Sequence, residues 1–205
     1  ALARAMSYTK QVKAATVLNN GFTSGTYGDG VYLFSASHPL LNGGVNANWS
    51  TSGNWSATDG GAASGVKPTA SDDVYFTANS PVCTVDTAGV GLTLNFTGYA
   101  STITMTAGLT ISGSVTLVAA MTIAGASGLT VAATATLTSN AKTWPNAMTF
   151  TGTSTFTFAD NWDVNGLVTA GQSAQTFSGA FTLLCGAGYT MGANVLTGSC
   201  GFIIK

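Results

Sequence analysis

From Cys83 onward the chain can be laid in register on itself, and this repeat narrows the possible folds more than any other feature. The units read CTVDTAGVGLTLNFTGYAS, TITMTAGLTISGSVTLVAA, MTIAGASGLTVAATATLTSN, AKTWPNAMTFTGTSTFTFAD, NWDVNGLVTAGQSAQTFSGA and FTLLCGAGYTMGANVLTGSC. These six units recur with a period of about 19–20 positions, within the range of solenoid repeats. A small residue followed by an apolar one recurs at Gly91-Leu92, Gly108-Leu109, Gly128-Leu129, Ala147-Met148, Gly166-Leu167 and Gly188-Tyr189. A second alternating run follows in most units, as in Val115-Thr116-Leu117, Ala135-Thr136-Leu137 and Phe156-Thr157-Phe158. Self-similarity at a short fixed period is the signature of a solenoid. Each unit supplies two or three short strands with alternate side chains inward, separated by Gly- or Asn-containing corners. A single unit cannot bury its apolar face, whereas stacked coils bury a continuous core. The expectation is a mainly β chain, a β-solenoid (β-helix) of about six coils, roughly 29 Å long at about 4.8 Å per coil. A β-sandwich is the competitor, and the constant period counts against it.

Charge explains which surfaces such a chain can present. The 205 residues include six Lys and Arg, seven Asp and no Glu, so 6% are charged, against about 25% in an ordinary domain. Helical bundles need Glu, Lys and Arg on their exposed faces and are excluded. Disorder is disfavoured because disordered chains are rich in charge and poor in apolar residues. A net charge of −1 gives no footprint for nucleic acid or an anionic membrane, so neither partner is expected. Residues 87 to 141 carry no charge, but Gly and Thr punctuate them too often for a membrane-spanning helix. Thr suits the outward strand positions, being β-branched and wetted without charge.

The pattern divides the chain into residues 1–48, a Gly/Ser/Trp-rich bridge over 49–82, and the repeats over 83–205. Leu2, Ala5, Tyr8, Val12, Ala15 and Leu18 follow helical spacing, and Asn19-Asn20-Gly21 supplies a C-terminal stop. Lys10 and Lys13 interrupt any apolar run there, so a secretory signal is not expected. A turn and the short strand Val31-Tyr32-Leu33-Phe34 follow, then a break at Ser37-His38-Pro39. The segment 1–48 therefore reads as an N-terminal α-helix, a loop and a short strand. In the bridge, Asn48-Trp49-Ser50 is echoed by Asn54-Trp55-Ser56. The two indoles either cap the open end of the solenoid or form a stacking platform for sugars. Gly201-Phe202-Ile203-Ile204-Lys205 closes the other end or contacts another subunit.

Residues 1–48 resemble a stretch of the major capsid proteins of tailed bacteriophages. The elements that carry the resemblance are LARAMSYTKQVKAATVLNNGF, GDGVYLF, the SHPL tetrapeptide and Gly43-Gly44 followed by Asn48. It implies that the helix belongs to the long spine helix of a shell protein and that the following segment runs into a strand of the peripheral domain. The bridge and repeats also look like the Thr/Gly-rich β-solenoid modules of phage virion proteins.

The chemistry-bearing residues are few. His38 is the only histidine, and no G-x-S-x-G elbow accompanies it. Asp72 and Asp73 read as turn residues rather than paired acids. Asp160 and Asp163, with Asn161 and Asn165, offer oxygens to a hard cation, but their spacing fits a polar corner better than a metal loop. Cys83, Cys185 and Cys200 read as buried thiols, with a Cys185–Cys200 disulfide as the sharper alternative. No catalytic residue, cofactor or metal is expected, and the chain is read as not an enzyme. The expected function is that of a phage virion structural protein in the particle's head, a capsid component or capsid-attached decoration that assembles with itself and with other capsid subunits. Trp49, Trp55, Trp162, Tyr8 and Phe34 are the expected assembly contacts. The alternative is an extracellular tail-fibre, spike or adhesin-type solenoid that binds glycans through the same aromatics. A third reading, ice binding, needs the pairs Thr102/Thr104, Thr134/Thr136 and Thr155/Thr157 in one register, whereas the units drift by a residue or more.

Overall fold

A computed structural model describes residues 40–41, 47–171, 174–192, 195–197 and 199–205. The expected helix over residues 2–18, the strand at 31–34, Tyr8, Phe34 and His38 lie outside the described residues.

The described residues form a parallel β-solenoid of about six turns with three faces. The first face runs through Asp73–Tyr75, Thr93–Asn95, Val115–Thr116, Ala135–Thr138, Thr155–Phe158, Thr176–Ser178 and Val195–Thr197. Leu40–Leu41 and Trp55–Ser56 extend its leading edge. The second face holds Gly89–Gly91, Leu109–Ile111, Leu129–Val131, Met148–Phe150, Val168–Ala170 and Tyr189–Met191. The third face is split. Cys83–Val85, Thr102–Met105 and Thr122–Gly125 form one sheet, and Thr143–Trp144, Trp162–Val164, Phe181–Cys185 and Cys200–Ile204 form another. Asp73–Tyr75 comes from the stretch read as a bridge, so the stacked sheets begin before the first repeat unit.

Inward positions alternate as strand geometry dictates. Val74, Leu94, Val115, Leu137 and Phe158 stack in one buried column on the first face. On the second face Gly89, Leu109, Leu129, Met148, Val168 and Tyr189 stack likewise. The small-then-apolar pairs at Gly108-Leu109, Gly128-Leu129, Ala147-Met148 and Gly188-Tyr189 therefore mark one structural position. Gly91-Leu92 and Gly166-Leu167 do not: their equivalents are Ala88-Gly89 and Leu167-Val168. The three Thr pairs also part company. Thr102/Thr104 lies on the third face and Thr155/Thr157 on the first, while Thr134 sits in the corner before Ala135–Thr138. A different set does line up: Thr110, Thr130, Thr149, Thr169 and Thr190 run single file down the second face.

The three corners follow different rules. Every turn from the third face to the second has three residues: 86–88, 106–108, 126–128, 145–147, 165–167 and 186–188. These turns stack tightly. A Cβ on Gly166 would lie 2.2 Å from the Asn146 carbonyl carbon, so only glycine fits there. The corner from the first face to the third shortens steadily instead. It spans residues 76–82, 96–101, 117–121, 139–142, 159–161 and 179–180, falling from seven residues to two. Where the corner is long, its own Phe76, Phe96, Tyr99, Leu117 and Met121 fill the interior. Where it is short, strand aromatics take over: Phe150, Phe156, Phe158, Phe177 and Phe181 pack with ring centroids 4.2 to 6.1 Å apart.

Candidate functional site

Trp49 and Trp55 are 1% and 0% exposed. Their rings meet edge to face at 4.8 Å, and Trp55 packs the same way on Phe76 at 6.0 Å. The Trp55 indole N–H donates to the Trp49 carbonyl at 2.9 Å. Backbone bonds between Ala47–Trp49 and Thr84 lay this segment across the first rung of the third face. A Cβ on Gly89 would touch the Trp49 ring at 3.1 Å, so the absent side chain makes room for the indole. The Ser50 backbone N–H and hydroxyl donate to Asp86 at 2.9 and 2.5 Å. Burial opposes ionisation of Asp86, but hydrogen bonds from Ser50 and from the Asp86 and Thr87 backbone N–H groups together outweigh it and hold the carboxyl below its ordinary range. The two indoles thus cap the leading end. They have no open face for a sugar ring.

Trp162, 0% exposed, is a core residue packed on Phe158 at 6.3 Å, with its indole N–H enclosed and without an acceptor. The expectation of glycan or subunit contact through Trp49, Trp55 and Trp162 is therefore corrected for the folded chain. Cys83 and Cys185 are free thiols enclosed in the core, and Cys185 sits opposite Ile204 rather than Cys200. The Cys185–Cys200 disulfide is therefore absent.

The carboxylates are dispersed. Asp72 accepts from the Thr69 N–H and hydroxyl at 2.8 and 2.7 Å, closing a turn, and Asp73 accepts from the Thr93 hydroxyl at 2.6 Å. Asp160 accepts from the Ser139 and Asn140 backbone N–H groups at 2.8 and 2.7 Å, so it caps the preceding corner. Asp163 pairs with Lys205, and Asn161 accepts from the Thr182 N–H at 2.7 Å. Among the described residues no group of three or more His, Cys, Asp or Glu is placed to hold a metal.

A concave site lies where the third face splits. Thr122–Gly125 and Thr143–Trp144 each stand at the edge of their sheet, facing one another without pairing. Between them opens a cleft of about 320 Å³, lined by Ala119, Thr122, Ile123, Ala141, Lys142, Thr143, Pro145 and Asn165. The corner Ser139–Lys142 builds one wall. Asn140 and Ala141 adopt left-handed φ of 49° and 61°, a conformation that costs non-glycine residues about 1–2 kcal/mol. A lattice of hydrogen bonds holds them there. Besides the Asp160 caps, Asn140 Nδ2 donates to the Leu117 carbonyl at 2.7 Å and the Ser139 hydroxyl to the Asn161 carbonyl at 2.7 Å. The result aims Lys142 across the seam, where its ammonium donates to the Met121 carbonyl. The sequence held one signal for this site: Lys142 is the first charge after Asp86 in a run otherwise free of them.

Fold and site together define a parallel β-solenoid with a capped leading end and a cleft in one split face. No family model, no curated protein and no solved structure matches the chain.

Proposed function

We propose that the chain is a structural protein of a phage virion, a head component or capsid-attached decoration that assembles through its N-terminal segment and its solenoid. The reading is of a non-enzymatic protein that needs no cofactor and takes copies of itself and other capsid subunits as partners. Residues 1–48, with their resemblance to tailed-phage capsid proteins, motivate the lattice.

The observation that carries the self-association is the last described rung. Its strands Val195–Thr197 and Cys200–Ile204 stand at the edges of their sheets, and Met191, Ile203 and Ile204 are 41%, 50% and 66% exposed beside them. Open edges with apolar neighbours are templates for strand addition. At the leading end the indole cap and the backbone bonds of Ala47–Trp49 to Thr84 cover the first rung. Glycan binding through Trp49, Trp55 and Trp162 is not supported, because none of the three reaches solvent.

Light-scattering mass on the purified chain, with electron microscopy of the same fractions, tests this reading. Rings, shells or ordered arrays are expected. A stable monomer that joins neither a copy of itself nor a capsid subunit overturns it.

A further inference from the structure

We propose that the cleft in the split third face binds the carboxylate-bearing ring of an acidic sugar, a uronic acid residue. The volume sets the scale. About 320 Å³ is at the small end of the range for ligand sites, about 300–1,000 Å³, and suits one ring. The wall chemistry sets the class. Thr122, Thr143 and Asn165 supply hydroxyls and an amide, Ala119, Ile123 and Pro145 supply apolar surface, and Lys142 supplies one cation. A pyranose divides in the same way, with an apolar C–H face and a polar edge. Backbone groups of the two facing strand edges, Thr122–Gly125 and Thr143–Trp144, add donors and acceptors along the rim.

The electrostatics favour an acid over a neutral sugar. Among the described residues Lys142 has no ion-pair partner, and its ammonium uses one of three donors on the Met121 carbonyl. The nearby carboxylates already have partners: Asp160 two backbone N–H groups, and Asp163 both Lys205 and, at 3.5 Å, the hydroxyl of the cleft residue Thr143. No carboxylate lines the cleft itself. The nearest anion, Asp163 behind Thr143, is paired with Lys205, so an incoming carboxylate meets the Lys142 ammonium and forms a charge-assisted hydrogen bond. The wall is also built in advance. The bonds that fix Ser139, Asn140 and Ala141 place the Lys142 backbone before any ligand arrives, which lowers the ordering cost of binding.

A strap between the two sheets is the competing role for Lys142, and ligand titration separates the two. Sodium glucuronate, glucose and sodium sulfate are titrated into the full chain and followed by calorimetry and amide shifts. Glucuronate is expected to bind about tenfold or more tighter than glucose, the factor one charge-assisted hydrogen bond supplies, and to weaken as salt rises. Lys142→Gln is expected to remove that advantage. Ala119→Trp, which blocks the rim and leaves the ammonium in place, is expected to abolish binding in a folded chain. Equal binding of glucuronate and glucose, or no binding of either, overturns the proposal. Sulfate binding as tightly as glucuronate overturns the sugar class. If Lys142→Gln does not fold, Ala119→Trp decides alone, since glucuronate binding retained there places the ligand elsewhere. Particle mass is a separate readout, so this site and the assembly reading stand or fall independently.

Discussion

Cys83 opens the third face with its thiol enclosed and the Asp86 carboxylate in the corner that follows its strand. Burial first, and the negative charge of Asp86 second, push the thiol from 9.0 to about 12, and burial alone pushes Cys185 to about 11. Reactivity belongs to the thiolate. Iodoacetamide at about pH 8 is therefore expected to leave both residues unmodified in the native chain and to label both in denaturant. The same shifts set an alkaline limit. Below pH 9.0 the thiols are protonated in both states and contribute nothing to the pH dependence. Above it the unfolded chain loses protons first, so stability falls as pH rises towards about 12. Tyr99 acts in the same direction: burial raises its phenol, which donates to the Pro81 and Thr102 carbonyls at 3.0 and 2.7 Å. The melting temperature should drop above about pH 9, and less steeply in Cys83→Ala. Fast alkylation of the native thiols, or identical alkaline slopes in the two proteins, would contradict this account.

At the scale of elements, the corners decide what could be read from the sequence. The turns from the third face to the second keep the same three-residue length in all six rungs. The second face therefore keeps a nearly constant register step from Gly89 through Leu109, Leu129, Met148 and Val168 to Tyr189, and that column stands out in the bare sequence. On the first face the step lengthens along Val74, Leu94, Val115 and Leu137 before easing towards Phe158, because the corner before the third face shrinks while others lengthen. A constant period therefore matches Val115 to Ala135, whereas the strands match it to Leu137. The coil architecture was legible because alternation and Gly-punctuated corners are local signals. The split in the third face was not, since it accumulates from length differences that no single unit displays. The Ser139–Lys142 corner at that split makes a paired prediction. Asp160→Ala leaves two backbone N–H groups without their acceptor and should destabilise by about 1–3 kcal/mol. Ala141→Gly removes the left-handed strain at φ 61° and should stabilise by up to about 1 kcal/mol. Denaturant midpoints for the two variants moving in the same direction would refute this reading of the corner.

For the solenoid as a whole, stability is a sum of rungs and the contacts between neighbours, so its two ends need not open with equal ease. The leading end has indoles sealed over it, a backbone layer bonded to Thr84, and Gly89 cleared to admit the Trp49 ring. The trailing rung has strands on one side only among the described residues, with Ile203 and Ile204 in solvent. Hydrogen exchange of the full chain should therefore be fastest at Tyr189–Met191 and Cys200–Ile204 and slowest in the middle rungs, around Ile111 and Val131. Trp55→Ala removes a fully buried indole, a change that costs about 3–5 kcal/mol when the lost contacts are not replaced. In a stack of nearest-neighbour units that loss falls on the first rungs. Amides of Val74, Val85 and Leu94 should lose protection while those of Phe177 and Leu183 keep theirs. The aromatic cluster from Phe150 to Phe181 gives the distant half its own interior, which is why the defect should not spread. Uniform loss of protection along all rungs would mean that the coils fold as one cooperative block, and the cap would then govern the whole solenoid rather than its leading end.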